Sequence, residues 1–134
     1  ELIHARVAIE PELARRACGF ATAEDIADLR AIDDRLDAAI DSGDVRGYLE
    51  ENYRFHAGLN ALAGAPILLD LAEGLWLRFG PSLRVVCGRY GTQSLPDQHK
   101  AILAALAAGD TEAVARAMED DVRQGMEHIQ QSVE

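Results

Sequence analysis

Aromatic side chains are scarce, at 5% of the residues with a single Trp. Alanine is abundant instead, and that pairing favours close-packed helices over sheets. No apolar run approaches the roughly 20 residues that a helix needs to cross a bilayer, and no signal peptide is visible. The two cysteines, Cys18 and Cys87, lack metal-motif spacing and read as reduced, partly buried thiols. Basic residues are outnumbered, 13 Lys and Arg against 23 Asp and Glu, leaving a formal charge of −10. Phosphate contact needs a basic surface, so this chain is a poor partner for nucleic acid, and an acidic membrane is excluded on the same ground. Also absent are Cys-x-x-Cys, His-Glu-x-x-His, a phosphate loop and a nucleophile elbow.

What is present is a chain of 134 residues, 49% of them apolar, enough for one globular domain with a real core. It starts at Glu1 without a Met, so a fragment or processed chain is expected, with something absent upstream. Leu2, Arg6, Ile9, Leu13 and Ala17 share one stripe of a first helix, in which Pro11 predicts a kink or a restart and Gly19 a stop. Thr22 opens a second helix with Asp25 as its capping-box partner. Ile26, Leu29, Leu36 and Ile40 form its inner face; Asp28, Arg30, Asp33, Asp34, Arg35 and Asp37 read as a solvated outer face. A third helix, after Ser42-Gly43-Asp44, runs to about Ala63. Pro66 suits the first position of a fourth helix, which Gly80-Pro81 kinks or splits before it resumes to about Cys87. Residues 88–95 read as the longest loop, a candidate lid. Ser94 or Leu95 then opens a helix ahead of Pro96, with His99, Ile102, Leu103 and Leu106 inward. Asp110 or Thr111 caps a last helix lined by Val114, Met118, Asp121, Val122, Gly125 and Ile129. The expected fold is an all-α antiparallel bundle of six or seven helices with short connections.

The informative residues are the polar ones on apolar stripes. The third helix repeats Tyr48, Asn52, Phe55, His56, Leu59 and Leu62 at three- and four-residue steps, which puts Asn52 and His56 one turn apart on the core face. Arg6, His99 and Asp121 hold the same kind of position on three other helices. A buried polar group must find a partner, and four helices offering one each suggest a shared site. Two imidazoles and a carboxylate can hold Zn²⁺ or a similar ion with positions left open. Asn52 is a weaker oxygen ligand or an orienting partner. Arg6 cannot be a ligand, but its fork suits a carboxylate. The alternative is unrelated core polar groups, each satisfied locally.

These residues resemble a family. Their order and spacing are similar to the C-terminal effector-binding domain, called FCD, of GntR-type transcription regulators of the FadR subfamily. The resemblance rests on Glu1-Leu2-Ile3-His4-Ala5-Arg6-Val7-Ala8-Ile9-Glu10-Pro11, on Asn52-Tyr53-Arg54-Phe55-His56, and on the run from His99 through Gly109-Asp110, followed by Ala117-Met118. It covers essentially the whole chain. It implies a divalent metal held by an Asp, a His four residues later and two further His, positions that fall here on Asn52, His56, His99 and Asp121. Asn52 therefore replaces the frequent Asp, and Asp121 the usual third His, giving a harder donor set with weaker Zn²⁺ binding, altered metal preference or no metal. His128, about 10 Å past Asp121 along the helix axis, is a poor substitute, and His4 reads as surface.

The resemblance further implies an N-terminal winged-helix DNA-binding domain outside this chain, a small carboxylic acid effector, a homodimer and a cytoplasmic setting. The expectation is thus a regulator's effector-sensing domain, not an enzyme. His56, His99, Asp121 and Asn52 would serve the metal (Zn²⁺ first, Ni²⁺ or Mn²⁺ as alternatives). Arg6 would hold the effector carboxylate, with Arg78 and Arg84 as secondary candidates and Trp76 and Tyr90 as possible walls. Two other readings compete. One is a metal-dependent hydrolase-like enzyme, for which Glu10 is the sole candidate base. The other is a metal-free dimerisation module with a buried hydrogen-bond network.

Overall fold

The structure is a computed structural model that describes the backbone of residues 1–90 and 97–133 and the side chains of residues 1–80 and 97–127. Arg84, Cys87, His128 and Ile129 therefore lie outside the described side chains, as does the Tyr90 ring, and most of the proposed 88–95 lid lies outside the described backbone. Among the described residues there are six helices and no strand: α1 (Leu2–Phe20), α2 (Ala23–Ser42), α3 (Val45–Ala61), α4 (Pro66–Tyr90), α5 (His99–Ala108) and α6 (Thr111–Val133). The fold is the expected all-α bundle.

Local chemistry sets most of the boundaries. Thr22 and Asp25 form a reciprocal capping box at the start of α2, with Thr22 N–H donating to Asp25 at 2.9 Å and Asp25 N–H to Thr22 Oγ1 at 3.1 Å. Such a cap contributes about 1 kcal/mol. Asp44 and Asp110 accept from the backbone N–H groups of Gly47 and Ala113 at the starts of α3 and α6. Gly43 and Gly109, with φ of 72° and 66°, end α2 and α5 in the left-handed conformation that a side chain disfavours. Pro66 is the first residue of α4, as its ring prefers.

Three boundary expectations need correction. α1 passes Pro11 without restarting, because one lost donor is a small part of a 19-residue helix whose Leu13, Ala14 and Ala17 are fully buried. α4 likewise continues through Gly80 and Pro81 to Tyr90 instead of splitting. α5 starts at His99, later than expected: Gln98 is its N-cap, and Asp97 Oδ1 accepts the His99 N–H at 3.1 Å just ahead of it.

α1 packs most extensively on α6, and α2 on α3; α5 joins α6 and α2, while α4 lies across α1, α3 and α6. The core between them holds Leu13, Leu36, Phe55, Leu59, Ile102, Val114 and Met118, all fully buried. Among the described residues no helix is long and apolar enough to cross a membrane.

Candidate metal and effector site

Five of the six helices send a polar side chain to one cluster inside this core. α1 gives Arg6 and Glu10, α2 Asp33, α3 His56, α5 His99 and α6 Asp121, and each of these residues is at most 8% exposed. α4 supplies an aromatic wall of Trp76 and Phe79, whose rings lie 4.5 Å apart.

Asp121 is the centre. Its Oδ2 lies 2.8 Å from His56 Nε2 and its Oδ1 3.5 Å from His99 Nε2. The backbone N–H of Gln98 donates to the same Oδ1 at 2.9 Å, which ties the carboxylate to the start of α5. His99 stacks on Phe55, with centroids 4.0 Å apart and planes within 10°. His56 meets Trp76 at 5.0 Å and His99 at 5.4 Å.

Each imidazole has a carboxylate behind it. His99 Nδ1 lies 3.1 Å from Asp33 Oδ1, and His56 Nδ1 lies 3.5 Å from Glu10 Oε1. Each of those carboxylates has a cation behind it in turn. Arg6 donates to Glu10 through Nε and, at 3.1 Å, through Nη2, while its guanidinium carbon sits 4.0 Å from the Phe79 ring centroid. Lys100 bridges Asp33 and Asp37, 2.6 Å from the latter.

Charge in the cluster follows from these contacts. Burial opposes a charged His99, but Asp121 and Asp33 outweigh it and raise the imidazole to about 10. Burial opposes a charged His56 too, and Asp121 and Glu10 again raise it. Burial would neutralise Asp121, yet the two histidines hold it well below the usual carboxylate range. Glu10 and Asp33 are lowered in the same way against burial, Glu10 by His56 and Arg6, and Asp33 by His99 and Lys100. Asp97 goes the other way, raised by burial.

The donor set suits a divalent ion. One ligand atom from each of His56, His99 and Asp121 can be chosen with all three within 4.8 Å of one another. Tetrahedral bonds of 2.0–2.1 Å place neighbouring donors about 3.3 Å apart, and the observed 2.8 and 3.5 Å straddle that separation. His99 Nε2 is buried and makes no hydrogen bond, so a bound ion would give it the partner it lacks.

The residues expected at the site separate clearly. His56, His99 and Asp121 come together, and Arg6 joins them through Glu10. Asn52 is only half-buried, because the buried arc of α3 centres on Tyr48, Glu51, Phe55 and Leu59. Arg78 is exposed on α4, and His4 is exposed as expected. Asp33 corrects the reading of α2: it is 1% exposed, not part of a solvated face, because His99 and Lys100 neutralise it. Its signal was available, since Leu29, Asp33, Leu36 and Ile40 form one unbroken three-four stripe. Glu10 belongs to the cluster as well, one turn after Arg6.

Comparison with known proteins agrees with this architecture. The sequence matches the FCD domain over residues 1–124. It is 27% identical over 108 residues to the HTH-type transcriptional regulator McbR of Escherichia coli K12, an alignment covering 78% of this chain and 49% of that protein. The chain thus spans about half the length of that curated relative. The solved structure of E. coli McbR/YncC superposes with a TM-score of 0.91 at 25% identity, covering 98% of this chain and 67% of the other. With five helices converging on a polar centre and a family match across nearly its whole length, the chain belongs to the FCD domain family of GntR-type transcription regulators.

Proposed function

We propose that this domain senses a small organic acid beside a divalent metal and passes the signal to a DNA-binding domain elsewhere in its protein. The observation that carries the reading is the convergence of His56, His99 and Asp121 around the unpartnered Nε2 of His99. Those three residues would hold the ion, with Asn52 a weaker partner from one turn before His56. When bound, the ion supplies a Lewis-acidic centre with open positions for a carboxylate or hydroxyl. Two imidazoles and one carboxylate accept Zn²⁺, and the harder oxygen share also admits Mn²⁺ or Ni²⁺.

Arg6 would meet the acid. Glu10 occupies the Nε–Nη2 edge of its guanidinium, so the Nη1–Nη2 edge stays available for a second carboxylate. Phe79 and Trp76 lie against the guanidinium, their ring centroids 4.0 and 5.2 Å from its carbon. Arg78 and Arg84 are secondary candidates. The acid would favour one of two arrangements of the full regulator by its differential affinity for them. The regulator would act as a homodimer in the cytoplasm, touching DNA through a winged-helix domain and making no membrane contact.

A hydrolase reading loses its base in this geometry. Glu10 is held by Arg6, and His56 and Arg6 lower its pKa against burial, which makes it a weak base. The metal-free dimerisation module rests on the same cluster, since the ion pairs also close as a hydrogen-bond network.

A thermal-shift screen of mono-, di- and hydroxycarboxylic acids on the metal-loaded protein tests the sensing role. A true effector at about 100 times its Kd adds about 2.7 kcal/mol, a rise of several degrees in Tm. That rise should disappear when the metal is chelated first. No shift with any acid would leave the domain as a dimeriser.

A further inference from the structure

We infer that Asp33 is a positioning residue, which fixes the ring of His99 so that Nε2 is presented to the metal. This rests on the metal reading above and extends it to a residue on α2 that supplies no ligand. Two contacts settle the ring. Stacking on Phe55 at 4.0 Å sets its plane but leaves it free to flip within that plane. The 3.1 Å contact between Nδ1 and Asp33 Oδ1 removes the flip. An ionised carboxylate only accepts hydrogen bonds, so Nδ1 must carry the hydrogen and donate. When an ion displaces the second proton of the ring, the lone pair this frees lies on Nε2, the atom that faces Asp121. Metal-bound histidines commonly have such a carboxylate on the other nitrogen, and its loss weakens metal binding 10–100-fold.

Asp33 is itself held in place. Its side chain is 2% exposed, and Lys100 reaches in from a 67% exposed position to neutralise it, anchored on its other side by Asp37. The carboxylate cannot swing away without leaving a charge bare inside the bundle. Glu10 stands behind His56 in the corresponding place, but at 3.5 Å and already engaged by Arg6. Asp33 is therefore the firmer of the two holds.

The test compares the wild-type chain with Asp33→Asn and with Asp28→Asn, an exposed acid of the same helix, as a surface control. Zn²⁺ and Mn²⁺ affinities would be measured by competition with a chelator, and the His99 Nδ1–H proton followed by ¹⁵N-edited NMR with and without metal. Asp33→Asn should lower affinity 10–100-fold, whereas Asp28→Asn leaves it near wild type. The Nδ1–H resonance should be low-field and slow to exchange in the wild type, and lose both features in Asp33→Asn. A wild-type Nδ1–H that exchanges freely, or an Asp33→Asn chain that binds metal within about threefold of wild type, overturns the inference. Should Asp33→Asn not fold, Asp33→Glu displaces the acceptor by one methylene and is held to the same tenfold minimum. A wild-type chain that takes up no metal sinks the metal reading alone, because the Nδ1–H readout decides the role of Asp33 without an ion.

Discussion

Arg6→Ala is expected to cost about 3–5 kcal/mol of stability, the range for stranding one partner of a buried ion pair. Glu10 is fully buried, and its carboxylate depends on two bonds from Arg6. Removing the guanidinium leaves that charge with His56 alone, at 3.5 Å. Contact with Phe79 disappears at the same time, a cation–π term of about 0.5–2 kcal/mol. For a domain of this size the Tm should fall on the order of 10–20 °C. Arg6→Lys keeps a charge but not the fork, and should fall between. The double change Arg6→Met with Glu10→Gln is the informative control. It removes both charges at similar volume, so most of the loss should return. Urea unfolding of the four chains reads this directly. If the double variant is as unstable as Arg6→Ala, packing rather than stranded charge is the cause.

The second large effect is at Asp121. Asp121→Asn keeps the shape but removes the charge that both imidazoles face, and with it the only carboxylate in the His56–His99–Asp121 set. Metal affinity should fall more than about 100-fold, beyond what loss of an outer partner produces. Asp121→His should act in the opposite sense on preference, because a third nitrogen favours Zn²⁺ over Mn²⁺. Chelator competition with both ions in the three chains measures it. Equal Zn²⁺ affinity in wild type and Asp121→Asn would place the ion elsewhere.

The bundle was legible because its helix signals are local. The Thr22–Asp25 box, Asp44, Pro66 and the two left-handed glycines each act within a turn, and each stands where the sequence puts it. Arg6, His56, His99 and Asp121 were legible too, as polar residues interrupting apolar stripes. Asp33 was not. It sits among Asp28, Asp34 and Asp37, and a run of acids on a helix ordinarily faces water. Only a partner 66 residues away, His99, turns it inward. Asn52 differs in the other direction, in burial alone. Its spacing puts it on the inner face, but α3 is rotated so that Glu51 takes the buried place, neutralised by Arg35 and Arg54. Side-chain charges matched across helices decide such rotations, and periodicity within one helix carries no record of them. The start of α5 was placed too early; Asp97, just ahead of the helix, accepts the N–H of its first residue.

Metal content per chain is the measurement that tests the central claim most directly. It requires elemental analysis of protein purified without chelator or a histidine tag, before and after an excess of Zn²⁺, Ni²⁺ or Mn²⁺ is offered and removed. The account predicts close to one ion per chain, lost in His56→Ala and His99→Ala. Less than about a tenth of an equivalent after reloading would contradict it. The cluster of His56, His99 and Asp121 would then be a closed network of buried ion pairs, and any effector would have to be held by Arg6 and hydrogen bonds alone.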